Sequence, residues 1–393
     1  MNRASPTGPA SILYNNANMT FRFSSVVKTL LVAVVVLCVA LALRDTSVEA
    51  QPQPAIPQYK VDPFWPQPLP GNWILAEVSG VAVDSRDHVW IVHRPKTLTE
   101  KDGPPPTSVC CVAAPPVVEF DPAGKVVQAW GGSADYQWPA REHGISVDPQ
   151  GNVWVTFTGQ MDHIVTKFTR SGKFLLDIGR RGQTRGINDT ATLGSPTQAT
   201  VDGTANEVYV ADGEGSGNAN RRVIVFDATT GAYKRRWNAY GTPTTGPGPK
   251  YDPAAPPPRE FVGSVHCVRI SRDGLVYVCD RGADRIQVFR KDGTFVSEVA
   301  IARNTVQTGS TWDLDFTPDQ KFILVADGAN QKIWIVQRDS LDVVGSFGRA
   351  GHAAGQLLWP NGIAVDSKGN IFVCEVTGGN RVQKFLPVRA QRK

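Results

Sequence analysis

Methionine and histidine are scarce, with 3 and 6 copies in 393 residues, and the 6 cysteines include no CxxC pair. A cysteine-rich zinc ribbon or a dithiol redox motif is therefore unsupported. Long hydrophobic runs are missing too: the apolar stretch Leu30 to Leu43 has 14 residues, short of the roughly 18 that a membrane span needs. Charge of one sign is also lacking. Basic side chains number 41 against 36 acidic ones, a net +5, too weak and too dispersed for a nucleic-acid partner or an anionic membrane surface. No helical stretch recurs along the chain, and a composition 41% hydrophobic and 20% charged excludes wholesale disorder. What the sequence does have is turn formers, 37 glycines and 29 prolines.

The apolar run follows Arg22 and Lys28 and precedes Val48-Glu49-Ala50, a small-residue cleavage pattern. Residues 1–50 thus read as a signal peptide, which places the mature chain in a secreted or periplasmic location, without a membrane anchor. Five cysteines remain: Cys110, Cys111, Cys267, Cys279 and Cys374. Cys267 and Cys279 are equidistant from Asp273 in a hairpin pattern. They either face each other as a disulfide, which export permits, or are two small buried hydrophobes.

From Gly80 onward one unit recurs. An alternating apolar strand ends in Asp, Ser or Thr, a turn follows, and further strands return. The copies open as GVAVDSRDHVWIV, GISVDPQGNVWVT, QATVDGTANEVYV, CVRISRDGLVYV, DLDFTPDQKFILV and GIAVDSKGNIFV, anchored on Asp84, Asp148, Asp202, Ser271, Thr317 and Asp366. Six copies of an all-β unit at such spacing predict a six-bladed β-propeller over residues 80–393. The sixth copy has three strands. Residues 51–79 read as a linker and ring-closing strand, with Asn72 to Val78 expected to supply the missing outer strand and hide the open edge. Acid and base recur at facing strand ends, as Asp212 with Arg222, Asp280 with Arg285, Asp327 with Lys332 and Glu375 with Arg381, a pattern expected of cross-strand pairs that fix hairpins. Trp90 and Trp154 share one second-strand register and are expected to pack between blades.

The first strand of each blade lines the channel, so the residues five before each anchor form a ring at one mouth: Ser79, His143, Thr197, His266, Trp312 and Asn361. Histidines in alternate blades either share a divalent metal, with zinc expected from an open imidazole site, or are hydrogen-bonded channel residues. The third alternate position is Asn361, a poor zinc ligand. His88, His93 and His163 have readier structural readings, and Glu142 beside His143 is placed to support it.

These residues resemble a known family. The blades resemble NHL repeats, and VSGVAVDSRDHVWIVHR, EHGISVD, HCVRIS and CDRGADRIQVF resemble the peptidyl-α-hydroxyglycine α-amidating lyases, especially their bacterial secreted relatives, over residues 73 to 386. The resemblance implies a metal-dependent lyase that cleaves a C-terminal α-hydroxyglycine to an amide and glyoxylate. By motif His143 and His266 match two of three zinc-binding histidines, Arg94 and Arg281 match two substrate-gripping arginines, and the backbone carbonyls of Val81 and Ile145 match contacts to a structural calcium. Three positions depart from the pattern: Asn361 replaces the third histidine, Gly362 the calcium aspartate, and Glu214 stands where the lyases have a catalytic tyrosine. Glu214 is expected either as a base that reaches the channel or as a solvated loop acid. The expected partner is a peptide or small molecule in the central channel, and a monomer is expected. The alternative is a non-enzymatic propeller that binds a peptide, glycan or protein through a degenerate metal site. A calcium-dependent lactonase-type hydrolase is a third reading, with only Asn361 among the ring positions suited to it.

Overall fold

The computed structural model describes residues 55–103, 109–132, 136–214, 220–243, 248–306 and 308–388. The expected leader, residues 1–50, lies outside the described residues.

The repeat makes its structure locally. At the end of the first strand Asp84 Oδ1 accepts the N–H groups of Arg86 and His88 at 2.9 and 3.0 Å. Asp148 does the same with Gln150 and Asn152, and Asp366 with Lys368 and Asn370. An Asx turn of this kind reverses the chain and needs an acceptor at that one position. The other carboxylate oxygen accepts the indole N–H six residues on, Trp90 at 3.2 Å and Trp154 at 3.1 Å. One aspartate therefore sets both the turn and the orientation of the ring that packs against the next blade, with Trp90 and Trp154 fully buried.

Six four-stranded antiparallel sheets result. Blade 1 runs Glu77–Val83, Val89–Arg94, Val117–Phe120 and Val126–Trp130. Blades 2 to 5 begin with Glu142–Val147, Pro196–Asp202, Val265–Ile270 and Asp313–Phe316, and blade 6 with Pro360–Val365. Second strands are buried throughout, as in VWIVHR and EVYVAD, whereas outer strands such as YKRRW carry charge on an exposed edge. The apolar core lies between successive blades. The fold is the expected all-β six-bladed propeller.

The ring closes with an N-terminal strand, but not with Asn72 to Val78. Tyr59–Asp62 pairs antiparallel with Arg381–Pro387, Tyr59 opposite Pro387 and Asp62 opposite Lys384. The stretch expected in that role is divided. Trp73–Ile74 pairs in parallel with Val112–Ala113, and Glu77 and Val78 already begin the innermost strand of blade 1. Val78 is fully buried, so an outer-strand position was never open to it.

Three of the expected acid–base pairs form: Asp212 with Arg222 at 2.9 Å, Asp280 with Arg285 at 2.8 Å and Glu375 with Arg381 at 3.1 Å. In the fourth, Asp327 faces Lys332 in the ladder, yet its carboxylate accepts Asn330 and the Trp334 indole instead. Cys267 and Cys279 are ladder partners and are disulfide-bonded.

Glycine lets the first strands converge on the axis. A Cβ at Gly80 would lie 2.8 Å from the His143 carbonyl oxygen, and one at Gly144 would lie 2.4 Å from that of Thr197. Both positions follow a ring residue, so the ring residues are held close to the next blade's backbone.

Candidate functional site

Ring residues in alternate blades share one contact. The His143 Nδ1–H donates to the Thr197 carbonyl at 2.9 Å, His266 Nδ1–H to the Trp312 carbonyl, and Asn361 Nδ2–H to the Ser79 carbonyl at 2.6 Å. Each acceptor is the ring residue of the following blade. For the histidines this fixes the tautomer, because a carbonyl can only accept, and leaves Nε2 as the lone-pair nitrogen. The two imidazoles meet with ring centroids 4.8 Å apart. Burial lowers the pKa of both, with mutual repulsion assisting at His143 and Arg281 at His266, which falls to about 4. They are therefore uncharged at neutral pH, each with a lone pair free for a ligand.

Glu214 completes the group. Its carboxylate lies with the two histidines so that one donor atom from each falls within 4.8 Å of the others, and Oε2 is 3.8 Å from His266 Nε2. Of these, His266 Nε2 and Glu214 Oε2 are buried without a hydrogen-bond partner. Burial pushes the Glu214 carboxyl up, but Arg281 and the two histidines pull it down further, to well below the usual carboxylate range. Two neutral imidazoles and an ionised carboxylate with unsatisfied atoms facing one point fit a divalent cation with an open fourth position. Glu214 thus belongs with the histidines and is not a solvated loop acid. Its lowered pKa makes it a weak base and a good ligand.

The arginines stand around this group. Arg281 reaches Glu214 at 3.4 Å and the Ser264 hydroxyl at 2.9 Å, lies over the Trp312 ring at 4.3 Å, and its Nε has no hydrogen-bond partner. Arg94 pairs with Glu77 at 2.8 Å and donates to the Glu142 carbonyl at 2.7 Å. Arg94, His143, Glu214, Arg281 and Asn361 line one cavity of about 320 Å³ at the mouth. Arg141 and Trp359 line it as well; both stand two residues before the ring residue of their blade, as Glu77 does in blade 1, a register that sequence reasoning passed over. Glu142 does not touch His143 through its side chain, which accepts the Trp138 indole at 2.6 Å.

Below the mouth the channel narrows to a throat with about 10 Å³ of room, lined by His143, His266 and Asn361 of the ring together with Val81, Ile145, Gln198, Asp313 and Gly362. Val81 and Ile145 are thus placed together, as expected. Missed in the sequence was Arg269, which enters this level from blade 4 and pairs with Asp313 of blade 5 at 2.8 Å. A signal existed. Two residues before the anchors stand Ala82, Ser146, Thr200, Arg269, Asp315 and Ala364, so opposite charges occupy adjacent blades at a register otherwise held by small side chains.

His88 belongs to a second cluster with Asp84 and Glu119. Arg170 bonds Asp84 at 2.8 Å and also Glu119, so that cluster is neutralised within the chain. His93 accepts the Ala76 N–H and bonds the Pro115 carbonyl, and His163 bonds the Gly194 carbonyl. All three histidines hold loops to blades.

Comparison with known proteins finds relatives by sequence and by fold. The stretch 357–385 matches the NHL repeat. The chain is 28% identical to human NHL repeat-containing protein 3, over 70% of its own length and 74% of that protein. It is also 28% identical to mouse peptidyl-glycine alpha-amidating monooxygenase, over 58% of the chain but 22% of the relative, so it spans about a fifth of that protein. Among solved structures a streptogramin B lyase superposes with a TM-score of 0.51 at 14% identity, covering 84% of this chain and 98% of that one. That likeness concerns the fold alone.

Proposed function

We propose that the mouth of the channel is the active site of a metal-dependent lyase, acting on an acyl- or peptidyl-α-hydroxyglycine and releasing the amide and glyoxylate. The observation that carries this is the convergence of His143, His266 and Glu214 on one point, with unpartnered buried atoms, beside two arginines. Zinc held by these three residues would supply a Lewis acid for the α-hydroxyl. Arg281 and Arg94 bind and orient the carboxylate, for which the guanidinium fork is suited. In the reaction the hydroxyl proton leaves, the carbon–nitrogen bond breaks as the glyoxylate carbonyl forms, and the amide nitrogen is protonated. The distant similarity to amidating monooxygenases supports the same chemistry, and the Cys267–Cys279 disulfide supports export of the chain. Glu214 takes the place of a third histidine donor from a different blade, which explains how Asn361 is tolerated.

The test is glyoxylate release from a simple acyl-α-hydroxyglycine with zinc in excess. Turnover is expected from wild type and at a higher rate from Asn361→His, because an imidazole there can keep the bond to Ser79 and offer Nε2 as the other two do. Absence of glyoxylate from both proteins with zinc bound rules the lyase out and leaves a ligand-binding propeller.

A further inference from the structure

The family resemblance implies a calcium ion in the throat, held by the carbonyls of Val81 and Ile145 and an aspartate at the position of Gly362. The residues present do not fit that ion. A Cβ on Gly362 would lie 2.9 Å from Cys374 Sγ and 3.5 Å from Asp313 Oδ2. The space for an acid on blade 6 is thus bounded by one that comes from blade 5. Asp313 stands four residues before its anchor Thr317, as Gly362 stands four before Asp366. The same register is used, one blade earlier.

That acid arrives already neutralised. Asp313 Oδ1 accepts Gln198 Nε2 at 2.9 Å, the Leu314 N–H at 2.8 Å and Arg269 Nε at 3.3 Å. Its Oδ2 accepts Arg269 Nη2 at 2.8 Å and the Ile363 N–H at 3.1 Å. Arg269 Nη2 also donates to the Ile363 carbonyl at 3.1 Å, and Gln198 Oε1 accepts the Val268 N–H at 2.9 Å. Blades 3, 4, 5 and 6 are tied across the axis by this one network. Side-chain exposure is 5% for Asp313 and 13% for Arg269, so the pair is largely desolvated and its members depend on each other. A divalent ion entering the throat would face a guanidinium whose neighbouring acids are both engaged, Asp313 by Arg269 itself and Asp315 by the Phe316 and Val365 N–H groups at 2.8 Å each.

We infer that Arg269 is the resident cation of this throat, that it does within the chain what a structural calcium does in the lyases, and that the propeller needs no divalent ion to hold its blades together. The inference is independent of whether zinc binds the mouth.

The test separates the two metals. Protein stripped by chelation is reloaded with zinc alone or with zinc plus calcium, and thermal unfolding is followed. The two midpoints are expected to agree within about 1 °C, whereas Arg269→Met should lower the midpoint by about 5 °C or more and should then be raised by calcium, because Asp313 is left without its partner. If Arg269→Met does not fold, Arg269→Met with Asp313→Asn removes both charges together and is measured for the same loss of midpoint. A wild-type midpoint that calcium raises by several degrees would overturn the inference, as would an Arg269 variant as stable as wild type.

Discussion

Two levels of one channel treat buried charge in opposite ways. In the throat Asp313 is bonded on both oxygens by groups from three other blades, and nothing is left for a ligand. Where the ring of histidines meets the mouth, Glu214 Oε2, His266 Nε2 and Arg281 Nε are buried without hydrogen-bond partners. A buried polar group without a partner costs about 1–3 kcal/mol. The throat contributes stability through completed bonds, and the mouth retains the cost that a bound ligand would relieve. The difference lies along one axis, between an acid whose bonds are complete and a group of atoms whose bonds are not.

The largest expected effect bears on the mouth. Replacing both histidines, His143→Ala with His266→Ala, should weaken zinc binding by at least about 1,000-fold, since two of three donors are removed. Equilibrium dialysis measures this, and wild-type zinc uptake by the double variant would mean that the cluster is not the metal site.

Next comes the throat. Asp313→Asn leaves the Arg269 charge largely buried beside a neutral amide, at an expected loss of about 3 kcal/mol in urea unfolding. Zinc affinity should stay within about twofold of wild type. If zinc binding falls more than stability does, the two levels are coupled and the contrast between them fails.

The smallest effect concerns pH. Burial raises Asp315 to about 6, although Arg269 opposes it. A carboxyl whose folded pKa lies above its unfolded value binds its proton more tightly when folded, so its contribution is favourable at low pH and is lost as pH rises through about 6. Asp315→Asn, which cannot ionise, should therefore gain about 2 kcal/mol more over wild type at pH 8 than at pH 4.5. An equal change at both pH values would show that Asp315 is not held in its proton-bound form.

Much of the fold was legible because the repeat writes its turns and its packing locally. In blades 1 and 2 an aspartate that accepts two N–H groups and an indole acts within seven residues, and six copies of the strand-turn-strand unit in a row leave few architectures other than a ring. His143 and His266 could be found for the same reason, since the ring register follows from counting back from each anchor. The closing strand was harder. Tyr59–Asp62 is four residues long and bonds the far end of the chain, so nothing near it in sequence marks its role, whereas NWILAEV has a stronger strand pattern and is divided between two other pairings.

What the sequence by itself determined is the number of blades, the turn chemistry and the pair of channel histidines, because each depends on residues close together in the chain. Only the tertiary structure decided that Glu214 joins those histidines and that Arg269 meets Asp313. Glu214 lies 52 residues before His266 and Arg269 lies 44 before Asp313, and both meetings arise where strands from different blades converge on the axis. Charge placement across a ring is fixed by closure, and closure is a property of all six blades together.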